Sequence, residues 1–134
     1  MTQVDFYILG DGARGNRFLL ACRIAEKAWQ QGHRILIHSE SPDEARHMDR
    51  LLWTFRDQSF VPHALLGGSD SDPRLNPVLI QSGDNPGDEH DVLINLATDV
   101  PGFFSRFNRV AECVDGDDTV RKSGRTRFRF YRTH

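Results

Sequence analysis

The sequence predicts a single α/β domain, residues 1–134, in which a mostly parallel sheet carries helices on both faces. Short apolar runs alternate along the chain with longer stretches in which apolar residues recur at helical spacing. Strands that alternate with helices favour a parallel sheet that is covered on both sides. With 134 residues, of which 38% are hydrophobic, the chain fits one compact core of ordinary size.

A glycine-rich turn joins the first predicted strand to the first predicted helix. Residues 4–9 (VDFYIL) predict a short buried strand, and residues 10–16 (GDGARGN) have the composition of a turn. Apolar residues then recur at helical spacing over 17–31, after which Gly32 supplies a stop signal. Residues 33–38 predict the second strand.

The second helix has a recognisable N-terminal signal. Ser41 is the expected N-cap, Pro42 is the first helical residue and Glu44 is the third residue after the cap. We expect this helix to end near Trp53 or Phe55.

Three further extended segments are predicted after this helix. Residues 59–63 (SFVPH) form the first, and Pro62 confines it to a sheet edge or a strand end. Residues 67–76 have the composition of a loop, and strands are expected over 78–81 and 91–96.

The signals are weaker over residues 101–116. Residues 104–110 suggest a helical turn, and residues 110–114 (VAECV) suggest a final strand. Near the end of this segment lie Asp115, Asp117 and Asp118, for which we expect helix-capping and solvated-loop roles rather than catalysis.

Charge is divided unevenly between the tail and the rest of the chain. Residues 121–134 hold six of the seventeen Lys and Arg and none of the nineteen Asp and Glu, which leaves residues 1–120 with a formal charge of −8. Arginine offers paired donors to a carboxylate or a phosphate and also stacks on rings. The tail is therefore a candidate docking surface for an anionic partner.

The basic tail fits two local structures. Arginines alternate with Thr and Phe over 125–130, which is the period of a strand. In a helix, Asp117 lies in the N-terminal cap region and Gly124 weakens the helix by roughly 1 kcal/mol. A helix would bring three arginines onto one face with an aromatic ring beside them: Arg125, Arg129, Arg132 and Phe128.

The glycine-rich turn matches a dinucleotide-binding motif. Gly10, Gly12 and Gly15 form G-x-G-x-x-G after a strand and before a helix, and Glu40 follows the next strand. One hypothesis is therefore a small NAD-linked oxidoreductase domain. Asp11 opposes it, because this residue puts negative charge where a phosphate would lie. The other interpretation is a flexible turn between strand and helix.

Other signals of chemistry are few. Cys22 and Cys113 lie in apolar stretches without metal-type spacing, so buried free thiols are expected. The six histidines are scattered without ligand spacing, and we expect His47 and His63 at the surface or at strand ends. No nucleophile is paired with a base, so neither catalytic residues nor a metal site nor a cofactor is expected. Without a signal peptide or a membrane span, a cytoplasmic protein is expected.

Several blocks together resemble the chi subunit of bacterial DNA polymerase III. Their order and intervals match that family over essentially the whole chain; the blocks are residues 5–9, 21–28, 51–55, 59–63, 92–96 and 125–132. The resemblance implies a Rossmann-like α/β fold that binds no nucleotide. It also implies a non-catalytic accessory subunit of the clamp loader that acts in DNA replication.

The resemblance implies two protein partners. The first is the acidic C-terminal tail of single-stranded DNA-binding protein, which ends in a phenylalanine with a free carboxylate. Arg129 and Arg132 would hold the carboxylates, Arg125 would add long-range attraction, and Phe128 with Val114 would receive the aromatic ring. The alternative is that Phe128 and Tyr131 belong to the core of a terminal helix.

The second partner is psi, a small subunit that tethers chi to the clamp loader. The resemblance carries its docking site to Trp53, Phe60, Val61 and Pro62. An XPD-like helicase can use the same surface in this family. The alternative is that Trp53 is buried at the end of an amphipathic helix.

A third hypothesis is direct binding of single-stranded nucleic acid by the tail. Arginines would lie over phosphates and aromatic rings would stack on bases. The charge of −8 on residues 1–120 opposes this hypothesis by repelling a polyanion.

Overall fold

The computed structural model describes residues 1–58 and 60–134, which form one parallel sheet. Within those residues the sheet has six strands: β1 (Gln3–Ile8), β2 (Ile35–Ser39), β3 (His63–Leu65), β4 (Val78–Ser82), β5 (Val92–Asn95) and β6 (Arg109–Val114). The strand order is β1-β6-β5-β2-β4-β3, and every neighbouring pair is parallel. The predicted α/β class with a parallel sheet is confirmed.

The helices cover both faces of the sheet, also as predicted. They are α1 (Arg17–Gln30), α2 (Pro42–Thr54) and α3 (Asp118–Arg132), and a short 3-10 helix spans Phe104–Arg106. Successive side chains of each strand point to opposite faces of the sheet. Ile37 and its register neighbours lie on the first face, and Leu36 and its register neighbours lie on the second. The helices α1 and α2 pack on the first face, and α3 with the 3-10 helix packs on the second.

Local capping explains where the helices begin. The Ser41 hydroxyl accepts the backbone N–H of Glu44, and Pro42 is the first residue of α2, as predicted. The helix α1 is capped by Asn16, whose side chain accepts two backbone N–H groups of the first turn. In α3 the Asp117 carboxylate accepts the N–H of Val120. The helical interpretation of the tail is therefore correct and the strand interpretation is wrong.

Gly124 has a packing role that helix propensity alone does not express. A Cβ atom at this position would lie 3.1 Å from a methyl group of Val114 on β6. Glycine lowers the intrinsic stability of α3, but it lets the helix approach the strand closely.

The two edges of the sheet differ in their neighbours. The edge strand β3 starts directly after Pro62, which confirms the edge position that this proline predicts. The predicted segment 59–63 shares only His63 with β3, and Ser59 lies outside the described residues. At the other edge lies β1, beside β6. The classic dinucleotide-binding order instead has its first strand near the centre of the sheet.

The interior contains the two thiols that the sequence predicts and a histidine that lies at a strand end, one of the two positions expected for it. Cys22 and Cys113 are free and buried, and burial raises the pKa of the Cys22 thiol to about 12. His47 is exposed on α2, as expected. His63 starts β3 and its side chain is buried. Its two ring nitrogens lie 2.6 Å and 2.8 Å from the backbone oxygens of Val61 and Asp49. None of the helices in the described residues has the length and apolar character needed to cross a bilayer.

Candidate functional site

A fully buried carboxylate attaches α3 to the sheet. Glu112 on β6 is 0% exposed, and each of its oxygens accepts a short hydrogen bond from the helix. Arg127 Nε donates to Oε1 at 2.8 Å, and the Tyr131 hydroxyl donates to Oε2 at 2.7 Å. Asn95 of β5 donates to the same Oε2 at 2.9 Å. Because Arg127 and Tyr131 are four residues apart, one side of α3 is held against Glu112.

The same network connects α3 to the loop after β5. Arg127 Nη1 donates to the Thr98 carbonyl and to the Ser123 hydroxyl, both at 2.9 Å. Burial, followed by the charge of Glu112, raises the pKa of the Tyr131 phenol well above its usual value. Tyr131 is therefore a neutral donor, and the single charge on Glu112 is balanced by Arg127.

Attachment on one side leaves the opposite side of α3 exposed. Arg125, Phe128, Arg129 and Arg132 are all exposed, and Phe128 is 47% exposed. In the part of the chain that the structure describes, the three arginines form no ion pair with a carboxylate. These guanidinium groups are therefore available to an anionic ligand.

A groove of about 400 Å³ lies between α3 and the outer part of the sheet. We call it the α3 groove; it is lined by Phe6, Ile8, Val114, Arg121, Gly124, Arg125, Phe128 and Arg129. Its walls are apolar and aromatic, and its charged groups are all cationic. This composition suits a ligand that has an apolar side chain beside a negative group.

Phe128 separates this groove from a second cavity. Its ring makes an edge contact with Phe6, with ring centroids 5.4 Å apart. The guanidinium carbon of Arg132 lies 5.9 Å from the centroid of the Phe128 ring and lines the neighbouring cavity. Of the five residues predicted for the tail-binding site, Val114, Arg125, Phe128 and Arg129 therefore line the α3 groove, and Arg132 lies beyond it.

Four residues of the α3 groove are missing from the predicted site: Phe6, Ile8, Arg121 and Gly124. Arg121 lies one helical turn before Arg125, a spacing that the helical interpretation of the tail already contained. Phe6 and Ile8 are close because β1 pairs with β6. Local sequence carries no signal for that pairing, since each paired residue of β1 lies 106 positions before its partner in β6.

The glycine-rich turn uses its polar groups within the protein. The backbone N–H of Arg17 donates to Asp115 at 3.0 Å, and those of Phe18 and Leu19 donate to Asn16 Oδ1. These are the amides that a dinucleotide phosphate would use at a helix N-terminus. Burial alone would raise the pKa of Asp115. The backbone N–H groups of Arg17 and Asp117, together with the charge of Arg17, outweigh that effect and hold the pKa below its usual value.

The other two acidic groups near this motif also have protein partners. Asp11 pairs with Arg121 at 2.6 Å, so the glycine turn contacts the edge of the α3 groove. Glu40 accepts the backbone N–H of Thr98 at 3.1 Å instead of facing open space for a ribose. The donors and acceptors of the motif therefore serve the fold.

A second exposed surface lies at the β3 edge of the sheet. We call it the aromatic surface; Trp53 and Phe60 are each more than half exposed, with ring centroids 5.6 Å apart, and Pro62 beside them is half-buried. Val61 is only 1% exposed and packs in the core, so its side chain supports this surface from below. The Trp53 ring also lies 4.6 Å from the buried ring of His63.

Comparisons with known proteins identify the family. Residues 1–134 match the family model described as DNA polymerase III chi subunit, HolC. The chain belongs to the DNA polymerase III chi subunit family. It is 41% identical over 132 residues to DNA polymerase III subunit chi of Pseudomonas aeruginosa, covering 98% of this chain and 90% of the relative.

Two further relatives carry the same name. The chi subunit of Escherichia coli K12 is 35% identical over 98% of this chain and 92% of its own length, and that of Haemophilus influenzae is 32% identical over 93% and 86%. The chi family is a non-catalytic accessory subunit of DNA polymerase III. The chain is accordingly an accessory replication subunit, and the oxidoreductase hypothesis is wrong.

Proposed function

We propose that this chi subunit links DNA polymerase III, through psi, to the acidic C-terminal tail of single-stranded DNA-binding protein. The observation that carries the proposal is the α3 groove, in which apolar walls meet cationic groups only. A peptide that ends in phenylalanine has both matching features within one residue, an aromatic ring and a free carboxylate.

The terminal ring enters the α3 groove against Val114 and Phe128. Arg129 then holds the carboxylate, and Arg125 adds attraction from the same side of the helix. Charge-assisted hydrogen bonds to a carboxylate are roughly twice as strong as neutral ones. Since the arginines are exposed, binding weakens as salt screens them over roughly 10 Å at an ionic strength of about 0.1 M.

Fluorescence anisotropy with a labelled acidic peptide ending in phenylalanine tests this function. We expect saturable binding that is lost when the C-terminus is amidated, because amidation removes the negative charge to which Arg129 would bind. Phe128→Ala and Arg129→Ala should each weaken binding by about tenfold or more. Arg50→Ala, an exposed arginine on α2, is the matched control and should bind like the wild type.

Equal binding of the free-acid and amidated peptides would contradict the proposed carboxylate recognition. The same assay with single-stranded DNA tests the remaining hypothesis for the basic tail, direct binding of nucleic acid. A DNA oligonucleotide that binds more tightly than the peptide would favour direct nucleic-acid binding instead.

For psi we propose the aromatic surface, with Trp53 and Phe60 as anchors, Pro62 beside them and Val61 as support. Exposed aromatic rings at a sheet edge are common anchors of protein interfaces. Trp53→Ala should abolish co-purification with psi while leaving peptide binding unchanged. If psi binding survives this change, the aromatic surface is free for another partner, such as an XPD-like helicase.

A further inference from the structure

A second basic region lies on the first face of the sheet, opposite the face that α3 covers. Residues 12–39 hold five Lys and Arg and a single acid, Glu26, which is buried and pairs with Arg56. Arg17 and Arg34 pair with carboxylates elsewhere in the fold. Excess positive charge therefore remains on α1 as well as in the tail, although the chain outside the tail is acidic as a whole.

Three cations of this region are available to a ligand. Arg23 and Lys27 are exposed on α1, and Arg109 is exposed at the start of β6. Within residues 1–58 and 60–134, none of the three forms an ion pair with a carboxylate. Four residues of an α-helix rise about 6 Å, so Arg23 and Lys27 can contact neighbouring phosphates of one strand.

A pocket of about 250 Å³ adjoins these cations, between the end of α1 and the strands β1 and β6. We call it the β1 pocket; its lining includes Asp5, Tyr7, Lys27, Ala28, Arg109 and Ala111. The two alanines are small, which leaves room between the helix and the sheet. Pockets that enclose drug-sized ligands measure about 300–1,000 Å³, so the β1 pocket suits a single ring.

Asp5 and Tyr7 present a carboxylate and an aromatic ring side by side. They are two positions apart on β1, so both side chains point to the first face, about 7 Å apart. Tyr7 is 40% exposed. The Asp5 carboxylate accepts a hydrogen bond from the Gln3 side chain at 3.2 Å and has capacity for others. An aromatic face beside an acceptor suits a nucleobase, which stacks by its face and donates through an exocyclic amino group.

We propose that the β1 pocket and α1 bind single-stranded DNA, with one base in the pocket and the adjacent phosphates on Arg23, Lys27 and Arg109. The base stacks on Tyr7, and Asp5 accepts the exocyclic amino group of a cytosine. An acidic peptide would also meet the three cations, but Asp5 would repel its carboxylates, whereas a base donates to Asp5. This site goes beyond the proposed function, since it uses neither the tail nor the aromatic surface.

The contact should be weak and should depend steeply on salt. Three phosphate contacts on a single strand give a slope of about −2 for the logarithm of affinity against the logarithm of salt concentration. The last carbonyls of α1 accept the backbone N–H groups of Gln31, Gly32 and His33, which reduces their repulsion of a phosphate. We expect DNA to bind more weakly than the acidic peptide at the same salt concentration.

Fluorescence anisotropy with a labelled strand of eight deoxycytidines at low salt tests the proposal. Tyr7→Ala should weaken binding by about tenfold, because it removes the stacking surface. Lys27→Gln and Arg109→Gln should each weaken binding several-fold and make the salt slope shallower by about 0.7. Arg50→Gln, at an exposed arginine on α2, is the matched control and should bind DNA like the wild type.

Asp5 adds a test of base preference. Thymine has no exocyclic amino group, so a strand of eight thymidines should bind wild-type protein about fivefold more weakly than the deoxycytidine strand. Asp5→Ala removes the acceptor together with its negative charge, so it should abolish this preference while both strands still bind. Equal binding of the two strands to wild-type protein would contradict base recognition in the β1 pocket.

The remaining outcomes distinguish this site from the tail. We expect Arg129→Ala protein, and wild-type protein saturated with the acidic peptide, to retain DNA binding. If either loses it while the Tyr7 and Lys27 variants bind normally, DNA lies on the tail and the inference is wrong. Equally tight binding of dCMP and the strand would contradict the path along α1. If the peptide binds but no DNA strand does, the inference fails and the proposed function stands.

Discussion

The α3 groove and the aromatic surface lie at opposite edges of the same sheet and are built in different ways. In the groove, Phe128 lies beside Arg125 and Arg129, which form no ion pair within the described residues, on a helix that a buried ionic network holds in place. In the aromatic surface, Trp53 and Phe60 lie over a core to which Val61 contributes an uncharged side chain. The groove therefore suits charge-dependent recognition, and the aromatic surface suits apolar anchoring.

The comparison shows that two different kinds of contact, polar and apolar, can each hold an exposed aromatic ring in position. Phe128 is positioned by polar contacts on the far side of its helix, where Arg127 and Tyr131 bind Glu112. Trp53 is positioned by packing against the ring of His63, whose nitrogens lie close to the backbone carbonyls of Val61 and Asp49. Damage to one support should consequently leave the other surface intact.

The largest expected effect is on the support of the α3 groove. Arg127→Ala leaves the Glu112 charge buried without its partner and should lower the free energy of unfolding by about 3–5 kcal/mol. Urea denaturation measures this loss, and Arg125→Ala, an exposed neighbour on the same helix, should stay within about 0.5 kcal/mol of the wild type. A similar stability for both variants would contradict the role of the network.

Tyr131→Phe is a milder change at the same network. It removes one hydrogen bond to Glu112 while keeping the ring, so we expect a loss of about 1–3 kcal/mol in unfolding free energy. Peptide affinity should fall with it, because α3 is less firmly positioned. Binding to psi should not change, and a parallel loss of both partners would show that the two surfaces do not have independent supports.

The next largest expected effect is a difference between the two surfaces in how strongly salt weakens binding. Raising the ionic strength from about 0.1 M to about 0.5 M should weaken peptide binding by roughly tenfold, because the arginines of the α3 groove are exposed. Binding to psi should change much less, since its proposed anchors are uncharged. Calorimetric titrations of both partners at each salt concentration check this, and equal salt dependence would remove the distinction drawn between the surfaces.

Gly124→Ala should alter the shape of the α3 groove at little cost in stability. The added methyl group gains helix propensity of about 1 kcal/mol but meets Val114, so the two effects partly cancel. Displacement of α3 should still reduce peptide affinity by several-fold. Gly102→Ala makes the same change in the loop after β5, at an exposed position where an added Cβ meets nothing within 4 Å, and as the matched control it should bind the peptide normally.

The smallest expected effect concerns the ion pair between Asp11 and Arg121. Both groups are at the surface, and such pairs contribute little to stability. Asp11→Asn should free Arg121 for the peptide and raise the affinity by about two- to threefold at low salt. Reduced affinity would show instead that Asp11 positions Arg121 for binding.

Local signals in the sequence predict much of the fold but only part of the site. Ser41 and Pro42 mark the start of α2, and Pro62 marks an edge, because capping and the missing proline N–H act within a few residues. The tail stayed ambiguous because alternating arginines satisfy both periods. Phe6 and Ile8 could not be assigned to the groove, since their neighbours come from the far end of the chain.

The sequence by itself determined the α/β class, the two predicted helices, the free thiols and the excess of positive charge in the tail. Each of these depends on composition or on contacts between residues close along the chain. Only the tertiary structure decided that Arg127 is buried while Arg125 and Arg129 are exposed. That choice depends on the buried carboxylate of Glu112 on β6, a distant part of the chain, to which Arg127 donates a hydrogen bond.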